Sequence, residues 1–116
     1  MVGDTTNTYG YQALGKIGHD GTYITSNILD VTNNRTVLMA VDLVAGKIWF
    51  GRDNTWFNGG NPATGVNPSY EGISTSTNWY IGVFTTEWDY IDSRFQPTRW
   101  SLAPPVGFSF IPGVPI

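Results

Sequence analysis

The sequence contains no cysteine, which excludes disulfide bonds and thiolate metal sites. Charged residues are also scarce, at 13% of the 116 residues against roughly 25% in ordinary soluble domains. Six basic residues against nine acidic ones give a net charge of −3, which argues against nucleic acid as a partner. No apolar run is long enough for a membrane helix, and Met1–Thr6 lacks the features of a signal peptide. We therefore expect neither membrane insertion nor signal-directed secretion.

Neutral polar residues supply most of the polarity of the chain. It contains 14 threonines, 9 asparagines, 7 serines and 14 glycines, while apolar residues make up 41% and aromatic residues 15%. Threonine and the aromatic and β-branched residues favour strands, and no segment shows the 3.6-residue apolar period of a helix. The sequence therefore predicts an all-β protein, and its length fits a single domain over residues 1–116.

Two hairpins are predicted in the first half of the chain. A short strand over Tyr9–Leu14 is followed by a hairpin over Lys16–Thr25, with Asp20-Gly21 as a tight turn that accepts positive φ. The second hairpin joins Thr36–Leu43 to Lys47–Arg52. Because Thr36–Leu43 is almost continuously apolar, we expect it to be a core strand that is buried on both faces near its middle.

Glycine and proline mark the loops of the second half. Asp53-Asn54 predicts a turn, Thr55–Phe57 a short returning strand, and Asn58–Gly72 a loop of a length that is usually functional or part of an interface. Further strands are predicted at Trp79–Thr85, Tyr90–Phe95 and Gly107–Ile111. Residues 1–8 are expected to be a flexible arm, and residues 103–116 a proline-rich strap at a sheet edge or outside the sheets.

The run Asp42–Trp56, which contains Gly46-Lys47-Ile48-Trp49-Phe50-Gly51, resembles the second half of SPRY domains. The loop Gly60–Pro68 is similar to that of bacterial and phage members, and Phe95–Phe108 is similar to the closing segment of the family. The resemblance implies a concanavalin A-like β-sandwich, a jelly roll used for binding and not for catalysis. Asp53-Asn54 departs from the usual Asn-Gly turn. The chain also begins where a full SPRY domain would already have several strands, so it is either a minimal variant or completed by a partner chain, and we favour the partner.

Candidate binding residues lie around the long loop. Aromatic faces give large contact area at low entropic cost, and asparagine amides offer the donor and the acceptor that sugar hydroxyls require. The same groups would serve contacts with protein equally well. The predicted site for a ligand or partner consists of Trp56, Phe57, Asn58, Asn61 and Tyr70.

Catalytic and metal sites are less well supported. Glu87 and Asp89 lie two residues apart and would share one face of a strand, as the carboxylates of glycosidases with a concanavalin A-like fold do, but Asp92 does not match the position of the next carboxylate. The single histidine, His19, is expected to be an exposed turn residue. Asp53 with Asn54, or Asp89 with Asp92, would offer oxygen ligands to calcium, yet no calcium-loop pattern is present. We therefore predict no catalytic residue, no metal and no cofactor.

Together these features favour a non-enzymatic structural or adhesion module, a component of a phage or virus-like particle. Capsid decoration protein, head fibre and tail fibre fit equally well. The expected partners are copies of the chain, other virion subunits or a surface glycan, and the expected location is the virion after synthesis in the host cytoplasm. The alternatives are a carbohydrate- or peptide-binding module that recognises a host surface, and a glycoside hydrolase fragment that uses Glu87 and Asp89.

Overall fold

The computed structural model describes residues 8–12, 15–24, 35–80 and 102–109. The chain divides into two compact units, Met1–Thr77 and Asn78–Ile116. The described residues form six strands, all paired antiparallel, in two small sheets, and contain no α-helix. The prediction of an all-β protein is therefore confirmed. No helix in these residues is long and apolar enough to cross a membrane.

The first sheet has the strand order β1-β2-β3, formed by Tyr9–Gln12, Lys16–His19 and Thr22–Ile24. The predicted hairpin is confirmed, with Gly18 opposite Tyr23 and His19 opposite Thr22. Its turn residues Asp20 and Gly21 both have positive φ, 52° and 70°, as a type I′ turn requires. Strand β1 ends at Gln12; the last two residues of the predicted strand, 13 and 14, lie outside the described residues.

The second sheet has the order β4-β5-β6, formed by Val37–Asp42, Lys47–Arg52 and Thr55–Trp56. Its predicted hairpin is confirmed, with Val37 opposite Arg52 and Asp42 opposite Lys47. The Asp42 carboxylate Oδ1 accepts hydrogen bonds from the turn amides of Val44 and Ala45, at 3.0 and 2.9 Å. Because β5 pairs with β4 on one side and with β6 on the other, it lies in the centre of the sheet.

The core is centred on β5 and not on β4. Ile48, Trp49 and Phe50 are 6%, 1% and 4% exposed, so successive side chains of β5 are buried on both faces. The expectation that the Thr36–Leu43 strand is buried on both faces is wrong. β4 is at the edge of its described sheet, and one of its faces is not covered. This face carries exposed apolar side chains: Val37 at 49%, Met39 at 40% and Val41 at 36%.

Aromatic rings connect the two sheets of the first unit. The ring of Tyr11 from β1 lies 6.2 Å from that of Phe50 and 4.8 Å from that of Phe57, measured between centroids. The ring of Tyr9 lies 5.2 Å from that of Tyr70 in an edge-on arrangement. These are the distances of favourable aromatic pairs, so the second sheet and the loop after it pack against β1.

The second unit is described at residues 78–80 and 102–109. The amide of Phe108 donates to the carbonyl of Pro105 at 3.0 Å, and Gly107 has φ 89°, the pattern of a type II turn. The prediction of a strand from Gly107 is therefore wrong for residues 107–109. Residues 79 and 80 are also not in a strand, while residues 81–85 and the predicted strand Tyr90–Phe95 lie outside the described residues.

Candidate functional site

The long loop after β6 is folded against the edge of β5 that faces away from β4. Ile48 donates its amide proton to the Tyr70 carbonyl at 3.0 Å, and its own carbonyl accepts from the Ser69 amide at 2.8 Å. The Phe50 amide donates to the Ser69 hydroxyl at 3.0 Å. The loop therefore leaves β5 through β6 and returns to pair with the same strand.

A smaller turn lies inside this loop. Asn61 and Val66 exchange backbone hydrogen bonds of 2.9 and 3.1 Å, and the short 3₁₀ helix Pro62–Thr64 lies between them. Gly65 closes the turn with φ 75°, a backbone conformation that glycine adopts without strain. The turn therefore has a regular, hydrogen-bonded backbone structure.

Two side chains of β5 anchor this turn. The Trp49 indole Nε1 donates to the Val66 carbonyl at 2.9 Å, and the Lys47 ammonium Nζ donates to the Gly65 carbonyl at 3.1 Å. Residues two apart on a strand point to the same face, so both anchors come from one side of β5. This role of Trp49 was not predicted, because nothing in the local sequence pattern links Trp49 to a carbonyl 17 residues away.

Close packing at Gly60 fixes the first half of the loop. A Cβ added there would lie 2.9 Å from the Asn67 carbonyl oxygen, and 3.0 Å from both the Phe57 carbonyl oxygen and the Trp49 ring. Two of these three neighbours are backbone atoms, which cannot move aside alone. Gly60 is therefore required for the close approach of the loop to β5.

Two of the three aromatic residues of the predicted site, Trp56 and Phe57, have packing roles. Phe57 is 2% exposed, and its ring contacts that of Tyr11, so it has no free face for a ligand. Trp56 is half-buried opposite Gly51, where an added Cβ would meet its ring at 3.1 Å. Phe57 is therefore a core residue, and Trp56 packs beside Gly51 of β5.

The two predicted asparagines, by contrast, are exposed. Neither the side-chain amide of Asn58 nor that of Asn61 has a hydrogen-bond partner among the described residues. Asn58 has φ 56°, and its carbonyl accepts from the Asn67 amide Nδ2 at 3.3 Å. Asn67, which the sequence analysis did not single out, thus holds Asn58 in place; its signal was its position before Pro68, in a typical turn pair.

Tyr70 and His19 belong to one aromatic cluster. The His19 ring stacks on Tyr9 at 3.9 Å with an interplanar angle of 8°, and it meets Tyr70 edge-on at 5.7 Å. His19 lies at the end of β2, and its Nδ1 bonds the Thr8 carbonyl at 2.9 Å, which requires Nδ1 to carry the proton. The expectation of an exposed turn histidine is wrong, because the ring is held by Tyr9 and Thr8.

The Tyr70 hydroxyl is buried and has no hydrogen-bond partner among the described residues. Burial raises the pKa of Tyr70, and the neighbouring Tyr9 and then Tyr23 raise it further. A buried hydroxyl without a partner costs stability, so we expect Tyr70→Phe to raise the free energy of unfolding by about 1 kcal/mol at neutral pH. Chemical denaturation checks this, with the exposed Tyr80→Phe as a control that leaves stability unchanged.

The same substitution has an expected pH signature. Because the folded state raises the pKa of Tyr70, the unfolded chain loses this proton first, and stability falls as pH rises above about 10, the ordinary tyrosine value. In Tyr70→Phe this contribution to the loss of stability at alkaline pH is absent. An identical alkaline decline in the wild type and Tyr70→Phe would contradict the assignment.

Asp53 is engaged structurally. Its Oδ1 accepts the Thr36 amide at 3.1 Å, while its Oδ2 lies 3.3 Å from Arg35 Nη1 and 3.6 Å from Arg52 Nε. Both carboxylate oxygens therefore stabilise the β5–β6 turn, which does not favour the calcium alternative at this position. Over the described ranges no three histidine, aspartate or glutamate side chains converge. Glu87, Asp89 and Asp92 lie outside the described residues.

No family model matches the chain, and neither a curated protein sequence nor a solved structure matches it.

Proposed function

We propose that the protein is a non-enzymatic structural or adhesion module, a SPRY-like β-sandwich that assembles with copies of itself in a phage or virus-like particle. The observation that carries this proposal is the apolar face of β4, where Val37, Met39 and Val41 are 49%, 40% and 36% exposed on successive outward positions. Aligned apolar side chains at a sheet edge favour contact with another chain.

The remaining features support the same function. The two antiparallel sheets with aromatic rings between them are compatible with a β-sandwich, and the ordered loop on β5 offers a rigid second surface. The low charge content and the resemblance to phage-type members favour a particle component such as a decoration protein, head fibre or tail fibre. In this role the chain acts by contact and needs no cofactor.

The test is the mass of the protein in solution, measured by light scattering after size exclusion. We expect a multiple of the 12.8 kDa chain mass, growing with protein concentration. A protein that stays monomeric at every concentration would contradict assembly.

A second candidate function is recognition of a carbohydrate through the exposed amides of Asn58 and Asn61, which are presented by an anchored loop. Carbohydrate recognition becomes the leading proposal if the protein is monomeric in solution, binds a glycan in a panel of glycans, and loses this binding in Asn61→Ala.

A further inference from the structure

We propose that two copies of the chain join edge to edge through β4, antiparallel and about a two-fold axis at Met39, so that the two sheets become one continuous sheet. The proposal rests on the self-assembly proposed above. It specifies the strand that forms the interface, the register in which the two strands pair, and a second copy of the chain as the partner. The juxtaposition that suggests it is a strand edge with no neighbour among the described strands, along which the exposed side chains follow in the order valine, methionine, valine in either direction.

The hydrogen bonds of the β4–β5 pair identify which backbone groups are free. The Asp53 amide donates to the Thr36 carbonyl at 2.8 Å, and the Thr36 amide donates to Asp53 Oδ1 at 3.1 Å, so the backbone groups of Thr36 point towards β5 and its turn. Because the backbone groups of successive residues point alternately to the two sides of a strand, the amide and carbonyl groups of Val37, Met39 and Val41 point away from β5. Strand β4 has no second neighbour among the described strands, and within residues 8–12, 15–24, 35–80 and 102–109 no other hydrogen bond to these groups is found.

The same three residues carry the exposed side chains, and their order is symmetrical. Val37 and Val41 flank Met39 at equal distance. A two-fold axis through Met39 places Val37 of one copy opposite Val41 of the other, with the two Met39 side chains facing each other. Each opposed pair then exchanges both backbone hydrogen bonds, and every exposed apolar side chain meets another, as an isologous interface requires.

The register is fixed by the length of the strand. Residues directly opposite each other must point to the same face, so the axis passes through a residue and not between two residues. An axis through Ala40 would pair Val37 with Leu43, which lies in the turn after β4. With the axis at Met39, the bonded residues all lie within Val37–Asp42.

Charge favours this antiparallel arrangement. Arg35 lies just before β4, and Asp42 ends it, so the strand is positive at one end and negative at the other. In the proposed register Thr36 faces Asp42 of the second copy, so the end of one strand that carries Arg35 lies beside the end of the other that carries Asp42, whereas a parallel arrangement would place like charges side by side. The edge also lacks the lysine or proline that usually prevents strands from pairing.

The absence of cysteine in the wild type allows a direct test of the register by single-cysteine variants under oxidised glutathione. In Met39→Cys the two Cα atoms would lie about 5.5 Å apart, within the range of disulfides. We expect a disulfide-linked dimer to form about tenfold faster, or more, than in Val66→Cys, which changes a valine of matching exposure, 48%, outside the strand.

Two further variants separate this register from its neighbours. In the proposed dimer, Val37 of one copy lies about 13 Å from Val37 of the other, since four residues of strand separate them. Val37→Cys and Val41→Cys alone should therefore cross-link slowly, whereas an equimolar mixture should give the mixed dimer rapidly. Rapid cross-linking of Val37→Cys with itself would overturn the register.

The outcomes distinguish this inference from the proposed function. If the protein assembles but Met39→Cys cross-links no faster than Val66→Cys, the β4 edge is not the interface, while self-assembly stands. If the protein is monomeric at all concentrations, both proposals fail. If the amide protons of Met39 and Val41 are protected from exchange in a dilute monomer, a segment of the same chain covers the edge and the inference is wrong.

Discussion

Substitution of Phe57 by alanine is expected to lower the free energy of unfolding by about 3–5 kcal/mol, the usual cost of truncating a buried phenylalanine. Phe57 is 2% exposed, and its ring lies 4.8 Å from that of Tyr11, so truncation leaves a cavity between β1 and the loop. Domains of this size have about 5–15 kcal/mol of total stability, so the loss is a large fraction of it. Denaturant unfolding at constant protein concentration measures it.

Asn61→Ala is the matched control from the same loop. Asn61 is exposed, and its side chain makes no capping bond to the 3₁₀ helix that follows it. We expect the free energy of unfolding to change by less than about 0.5 kcal/mol. A Phe57→Ala protein as stable as Asn61→Ala would mean that Phe57 is not a core residue, and its predicted role in ligand contact would become the better interpretation.

The sequence predicts local structure well where a few adjacent residues determine it. The Asp20-Gly21 turn specifies a two-residue hairpin, since both residues accept positive φ. The paired strands of Thr36–Leu43 and Lys47–Arg52 follow from their apolar pattern and from the turn between them. In these segments the predicted and observed strand boundaries differ by at most one or two residues.

Burial was harder to predict, because it depends on which strand occupies the centre of the sheet. Both β4 and β5 are apolar, but among the strands that the structure describes only β5 has neighbours on both sides, β4 on one and β6 with Tyr70 on the other. Composition alone does not show which of two apolar strands is more buried, so the middle of β4 was predicted to be buried on both faces. The exposure of Val37 and Val41 follows from the position of β4 in the strand order, which the sequence does not specify.

The position of the loop after Trp56 was predicted from the sequence, but the packing of its residues was not. The structure shows exposed side-chain amides in this loop at Asn58 and Asn61, whose function stays a prediction. The sequence did not separate Phe57, which is in the core, from its exposed neighbour Asn58. Contacts between distant residues, such as the Trp49 indole with the Val66 carbonyl, leave no local signal in the sequence.

Trp49 is expected to be the most sensitive position of the second sheet. It is 1% exposed, and its indole both fills the core and donates to the Val66 carbonyl at 2.9 Å. Trp49→Ala removes both contributions and should cost about 3–5 kcal/mol of unfolding free energy. Trp49→Phe keeps an aromatic ring and loses the donor, so it should cost less, with about 0.5–1.5 kcal/mol of the loss due to the hydrogen bond.

The anchoring role predicts an effect on the loop that a packing role alone would not produce. In Trp49→Phe we expect the Asn61 and Val66 amide protons, which bond each other's carbonyls across the turn, to exchange faster with solvent. Trp56→Phe is the matched control, since it makes the same chemical change at a half-buried indole for which no hydrogen bond is found among the described residues. Unchanged exchange at Asn61 and Val66 in Trp49→Phe would show that the loop holds its shape through its own backbone bonds and the packing at Gly60. The indole would then stabilise the core without positioning the exposed asparagines.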